Sequence, residues 1–252
     1  MRFFAVLFAT IVVACMSLGI IYFWGMGRVY PKYDHPFFTP AKPWVVLPRT
    51  LFNDPSIQRR DPNFIEWIDV YRNKENTLVI DKLESTELLS EAMPKLKGRR
   101  VILNIASNVE DIDRQMSAFL APYLENTSVL IQSEYDVVLR ATKEESANMP
   151  FGSSQSDRLR FNTFEGMAPW PGGLLPATPF HGDIYISPLK WKNISLVNSR
   201  IVQEVHRRQK YVILGPLRQN SELEQAQSLA PDGFILENKD VLEQFLSSKG
   251  SF

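Results

Sequence analysis

Four side chains at the ends of predicted strands carry most of the chemistry open to this chain: Arg49, Asp69, Asp81 and Glu237. A guanidinium at Arg49 can grip a phosphate through two parallel hydrogen bonds. Carboxylates on strand ends, such as Asp69 and Asp81, can hold a hard cation through oxygen and water. The plain alternative is that they pair with Arg49 or Lys82, or face solvent. That alternative is favoured for Asp81 and stays open for Asp69. Proton transfer near neutral pH calls for an imidazole, and only His35, His181 and His206 are available. His35 lies in a Pro-rich stretch and His206 beside two arginines on a predicted helix face. His181, inside a long irregular segment, is the one able to reach a site.

These residues must be positioned by a regular alternation of elements. Predicted strands cover Trp44–Leu47, Phe64–Tyr71, Thr77–Ile80, Arg100–Ile105, Ser128–Gln132, Asp183–Ser187, Tyr211–Leu214 and Gly233–Leu236. Helical patterns separate most of them, including Glu110–Tyr123, Asp136–Ser146, Leu196–Gln209, Glu222–Leu229 and Asp240–Leu246. Strand-helix alternation argues for a parallel sheet. No Gly-rich phosphate loop opens any helix, which disfavours a dinucleotide fold. A closed (β/α)8 TIM-type barrel over residues 44–252 is the expected architecture. The helix after the first strand is expected to be short or missing. Met149–Gly182, rich in Pro, Gly and aromatics, is expected to be a loop, either packing its own rings over the barrel or acting as a lid or a membrane-facing rim.

The N-terminus is a separate unit. Phe3 to Met26 carries no charge, and as a helix it would span roughly 36 Å, enough to cross a bilayer. Tyr22, Phe23 and Trp24 at its end suit an aromatic interfacial belt. A cleaved leader, and lipidation at Cys15, are the alternatives to a retained anchor over residues 1–26. Residues 27–43, with Pro31, Pro36, Pro40 and Pro43, are expected to form a stiff extended tether. The charge bias across the span is weak, with Arg2 before it and Arg28 and Lys32 after it. An N-terminal anchor followed by a folded domain is expected to place that domain on the exported, periplasmic or extracellular, side.

Lys plus Arg equals Asp plus Glu at 28 each, so no long-range field favours nucleic acid. Cys15 is the only cysteine, which excludes an internal disulfide. Asn126 and Asn193 fit glycosylation triplets, a pattern that often arises by chance.

The ordered series of strands resembles the glycerophosphodiester phosphodiesterase family over about residues 44–246. Asp232–Glu237 is similar to its closing "DGIITD" strand, Val129–Ser133 to its "QSF" strand, and Arg100–Asn108 to "NIEIK". Trp67–Val70 is similar to "ELDV", and Val45–Arg49 falls at the opening "AHRG". The resemblance implies a phosphoric diester hydrolase in which carboxylates hold a divalent metal, Ca2+ or Mg2+, and two histidines act as acid and base. This chain departs at most of those positions. Pro48 replaces the first histidine, Trp67 and Ala106 replace glutamates, and Asp81 falls at the second histidine; Arg49 and Asp69 are kept.

Two readings follow. In the preferred one the chain is a membrane-tethered barrel with degraded catalytic motifs. It binds a glycerophosphodiester, a phospholipid headgroup or a protein partner through Arg49, Asp69 and Glu237. In the other it is an active phosphodiesterase whose rearranged site draws on Arg49, Asp69, Asp81 and His181. That version needs a β-bulge to bring Glu66 to the face of Asp69, because side chains alternate along a strand. A purely structural platform with a filled mouth is a third possibility.

Overall fold

The computed structural model describes residues 2–31, 33–57, 63–82, 87–123, 128–146, 148–167, 173–192 and 194–249. Asn126, Asn193 and Lys32 lie outside the described residues.

Parallel strands β1 (Trp44–Pro48), β2 (Phe64–Arg72), β4 (Arg100–Ile105), β5 (Ser128–Gln132), β6 (Ile184–Ser187), β9 (Tyr211–Leu217) and β10 (Gly233–Leu236) form one sheet. Their order is β5-β4-β2-β1-β10-β9-β6. β3 (Leu78–Ile80), expected as a stave, instead folds back antiparallel on the end of β2. The missing stave comes from the segment expected to be a loop. Ile131 N–H donates to Pro150 O at 3.0 Å and Gly152 N–H to Ile131 O at 2.8 Å. On the other edge Asp183 N–H donates to Phe151 O at 2.7 Å, and the Ser153 hydroxyl donates to Ile186 O at 2.8 Å. Residues 150–153 thus join β5 to β6 and close the barrel.

The same segment continues into α6 (Gln155–Gly166), opened by a reciprocal cap between Ser154 and Asp157. The inward residues of this helix include Asp157, Arg158 and Phe161. With two of three being charged, the apolar periodicity that marks a helix in sequence is weak. Around the barrel lie α2 (Arg49–Phe52), α3 (Leu89–Ala92), α4 (Ile112–Leu120), α5 (Asp136–Glu145), α7 (Ser199–Arg207), α8 (Asn220–Ser228) and α9 (Lys239–Lys249). The single turn of α2 matches the short helix expected there.

Alternation along the strands builds two packed layers. Val46, Ile65, Ile102, Leu130, Ile184, Ile213 and Ile235 fill the lumen. Val45, Leu47, Ile68, Val70 and Leu103 face the helices. The proline-rich stretch is not an extended tether along its whole length, because its aromatics are worth more buried than solvated. Pro36–Phe38 form a 3-10 turn with Phe37 and Phe38 buried. Phe38 stacks on Tyr211 with ring centroids 4.5 Å apart, and Trp44 Nε1 donates to Pro40 O at 3.0 Å. Trp44 and Tyr211 begin their strands, so this turn plugs the strand-N-terminal floor of the barrel.

The floor is locked by Asp232. Its carboxylate pairs with Lys42, accepts from Val212 N–H at 2.7 Å and meets His206 Nε2 at 3.0 Å. Burial opposes its ionisation, yet the bonds from His206, Lys42 and Val212 win and hold it below the usual carboxylate range. His206 is therefore a structural partner rather than a free surface group. His35 caps the 3-10 turn, its Nδ1 accepting from Phe37 N–H at 3.1 Å.

Candidate ligand-binding site at the barrel mouth

At the opposite end, where strands finish, a cleft of about 470 Å³ opens, within the size range of small-molecule sites. Pro48 and Trp67 line one wall, with Asp69 beside them; Tyr135, Leu159, Trp191 and Pro216 supply apolar surface elsewhere. Its charged lining groups are Asp69, Glu134, Glu237 and Arg158. A mouth packed solid, as a purely structural platform would have, is not what these residues form.

Each predicted site residue has a definite place. Asp69 does line the cleft, on the inward face of β2. Its Oδ1 accepts from Trp67 Nε1 at 2.9 Å and from Asn104 Nδ2 at 2.7 Å. Glu237 also lines the cleft and is bonded to Arg218 Nε at 2.8 Å.

Arg49 does not join them. Pro48 takes the inward position at the end of β1, so the next residue turns outward. The Arg49 guanidinium binds Glu87 through two bonds of 2.6 and 2.9 Å. It also contacts Asp81 at 3.2 Å and Glu66 at 3.7 Å. Burial works against its charge, but these carboxylates raise its pKa further above the ordinary value. With its fork already occupied by carboxylates, it is not available to grip a phosphate in the cleft.

Asp81 follows the favoured plain alternative and pairs with Arg49. Its backbone has φ 67°, and its N–H donates to Asp69 O at 2.8 Å. Its carboxylate turns to the arginine, outside the cleft lining, and partial burial raises its pKa. His181 is half exposed between α5 and α6, with Nδ1 3.8 Å from Asp157 and its carbonyl accepting from Lys143. It too stands outside the cleft lining.

A carboxylate-held cation does not fit this donor set. Glu66 is on the outward face of β2, 1% exposed and 3.2 Å from Arg99 Nη1. No bulge brings it round to Asp69: β2 stays in continuous register with β4 from Glu66 to Val70. Trp67 and Ala106 offer no side-chain oxygen, and Asp69 and Asp81 are directed to different partners. Among the described residues no group of three or more His, Cys, Asp or Glu side chains is arranged to hold a metal ion.

Sequence reasoning missed the one cationic side chain among the cleft's described lining residues. Arg158, from the first turn of α6, is 5% exposed, donates to Ile186 O at 3.1 Å and pairs with Glu134. Glu134 follows directly on the Gln132-Ser133 end of β5, a position where barrel sites collect. The capping pair Ser154 and Asp157 was the available sequence signal for the helix that carries Arg158. Gln132 braces this corner, its amide donating to Ser153 O at 2.9 Å.

The architecture is a TIM-type barrel, and solved structures share its fold. A protein from Silicibacter pomeroyi, assigned as a glycerophosphoryl diester phosphodiesterase, aligns with TM-score 0.59 at 11% identity, over 86% of this chain and 96% of its own. The glycerophosphodiester phosphodiesterase of Agrobacterium tumefaciens aligns with TM-score 0.55 at 10% identity, over 82% and 100%. An Oleispira antarctica phosphodiesterase in complex with the product sn-glycerol-3-phosphate aligns with TM-score 0.51 at 13% identity, over 82% and 97%. No family model and no curated protein sequence matches the chain. At these identities the likeness establishes a shared fold.

Proposed function

We propose that this chain is a membrane-tethered barrel of the glycerophosphodiester phosphodiesterase type that binds a zwitterionic phosphodiester headgroup at its mouth without hydrolysing it. The carrying observation is the composition of the cleft: three carboxylates, one buried guanidinium, several aromatic rings and no imidazole among its described lining residues. Such a lining disfavours a free phosphate dianion, since like charges repel in a partly desolvated site. It suits a ligand carrying both signs. The phosphodiester would take Arg158 by displacing the half-exposed Glu134, a charge-assisted contact. An ammonium or choline group would rest near Asp69 against Trp67, Tyr135 or Trp191, through carboxylate attraction and cation–π contact.

The active alternative, with Arg49, Asp69, Asp81 and His181 as one machine, finds little support in this geometry, because three of the four lie outside the cleft. The tether is α1 (Arg2–Met26), whose Phe3–Met26 stretch is long and apolar enough to cross a bilayer. An exported position for the barrel follows from that anchor reading.

Binding is tested by titrating glycerophosphocholine and, separately, sn-glycerol-3-phosphate while following tryptophan fluorescence, since Trp67 and Trp191 line the cleft. The expected result is a saturable change with glycerophosphocholine and at least tenfold weaker response to the dianion. No response to either, or preference for the dianion, would remove this reading.

A further inference from the structure

The last turn of α1 is built into the barrel. Gly25 is buried, and a Cβ there would stand 2.5 Å from the backbone of Pro176 and 2.6 Å from Ala177 N. Only glycine permits that approach. The carbonyls that a helix leaves unpaired at its C-terminus are taken up from outside: Arg207 donates to Met26 O at 3.2 Å and to Gly25 O at 3.4 Å. A cation at this end also complements the helix dipole. Glu204 orients Arg207 through bonds of 2.7 and 2.8 Å, and the Tyr30 ring lies against the same guanidinium.

The receiving surface is equally fixed. The 3-10 turn Leu175–Ala177 is held by buried Arg208, which donates to Leu175 O and Thr178 O at 2.6 Å each. This turn precedes β6, and Arg207 precedes β9, so both belong to the rim where strands begin. Phe3 to Val13 on α1 are exposed, and the helix leaves the barrel after that contact. Trp24 carries Arg28 over its ring at 3.9 Å, an aromatic-basic pair suited to the headgroup layer.

Resting on the anchor reading above, we infer that this strand-N-terminal rim, made by the ends of α6 and α7 and the turn between them, is the surface that sits on the bilayer. The mouth then opens at the far end, roughly 15–20 Å away by strand length. A headgroup still attached to lipid of the host membrane cannot reach it, so the ligand arrives from the aqueous phase.

The test uses the full chain in phosphatidylcholine vesicles, with Cys15→Ser as background and a fluorophore on one added cysteine. Gly166→Cys places the label at the end of α6, where the Cβ meets open space; Lys190→Cys places it on the exposed hairpin of β7 (Lys190–Trp191) and β8 (Ile194–Ser195) beside the mouth. Headgroup-attached quenchers are expected to quench the Gly166 label at least twofold more than the Lys190 label. Gly25→Leu is expected to erase that contrast while the melting temperature stays within a few degrees. Equal quenching at both sites, stronger quenching at Lys190, or a contrast that survives Gly25→Leu would overturn the inference. Recovery of the chain in the aqueous fraction, or with its N-terminus removed, would instead count against the anchor reading itself.

Discussion

Arg208→Met is expected to lower the stability of the barrel by about 3–5 kcal/mol, the range for breaking a buried charge pair by removing one partner. Arg208 is 1% exposed and its Nε donates to Glu204 at 2.7 Å. Its remaining donors hold the carbonyls of Leu175 and Thr178. Methionine fills much of the volume but leaves a buried carboxylate and two carbonyls short of donors. Arg208→Lys should recover part of the loss, because the charge returns while the planar fork that reaches three acceptors does not. Denaturant unfolding followed by circular dichroism checks both. A loss under 1 kcal/mol for the methionine variant would mean the cluster is solvated and carries little of the fold.

Arg158→Gln is expected to weaken glycerophosphocholine binding at least tenfold, or about 1.4 kcal/mol, with the fold retained. The asymmetry of the ion pair is the reason. Arg158 is buried, whereas the Glu134 side chain is 54% exposed and can be hydrated when its partner goes. Glutamine keeps a donor for Ile186 O and removes the charge that would meet a phosphodiester. Arg49→Gln supplies the contrast: it is expected to leave binding unchanged, since Arg49 is already engaged by Glu87, Asp81 and Glu66. If the two variants behaved the other way round, the mouth would have been assigned to the wrong arginine.

That exchange of one arginine for another shows how far the sequence could be read. Strand spans were legible because β-branched runs between turn residues are a local signal. The barrel class followed from alternation and resemblance. Direction was less legible: Arg49 stands next to the strand end, yet parity sends Pro48 inward and Arg49 outward. Asp69 was legible as the carboxylate kept in the stretch that resembles "ELDV", and it shares the inward parity of Trp67. Arg158 was lost because α6 buries Asp157 and Arg158, so its inner face reads as polar surface. The eighth stave was lost for a related reason, since Pro150 and Gly152 punctuate a segment that pairs through few ladder bonds. The floor was hidden in a Pro-rich stretch, where Phe37 and Phe38 gain their burial only from distant Trp44 and Tyr211.

The mouth is proposed to act as a receptor and not as a reactor. The directest test of that role is release of choline or glycerol phosphate from glycerophosphocholine by the purified full chain, with millimolar Ca2+ or Mg2+ supplied. The prediction is a rate indistinguishable from buffer under either ion, alongside saturable binding of the same compound. Metal-dependent turnover that disappears in Asp69→Ala would contradict it.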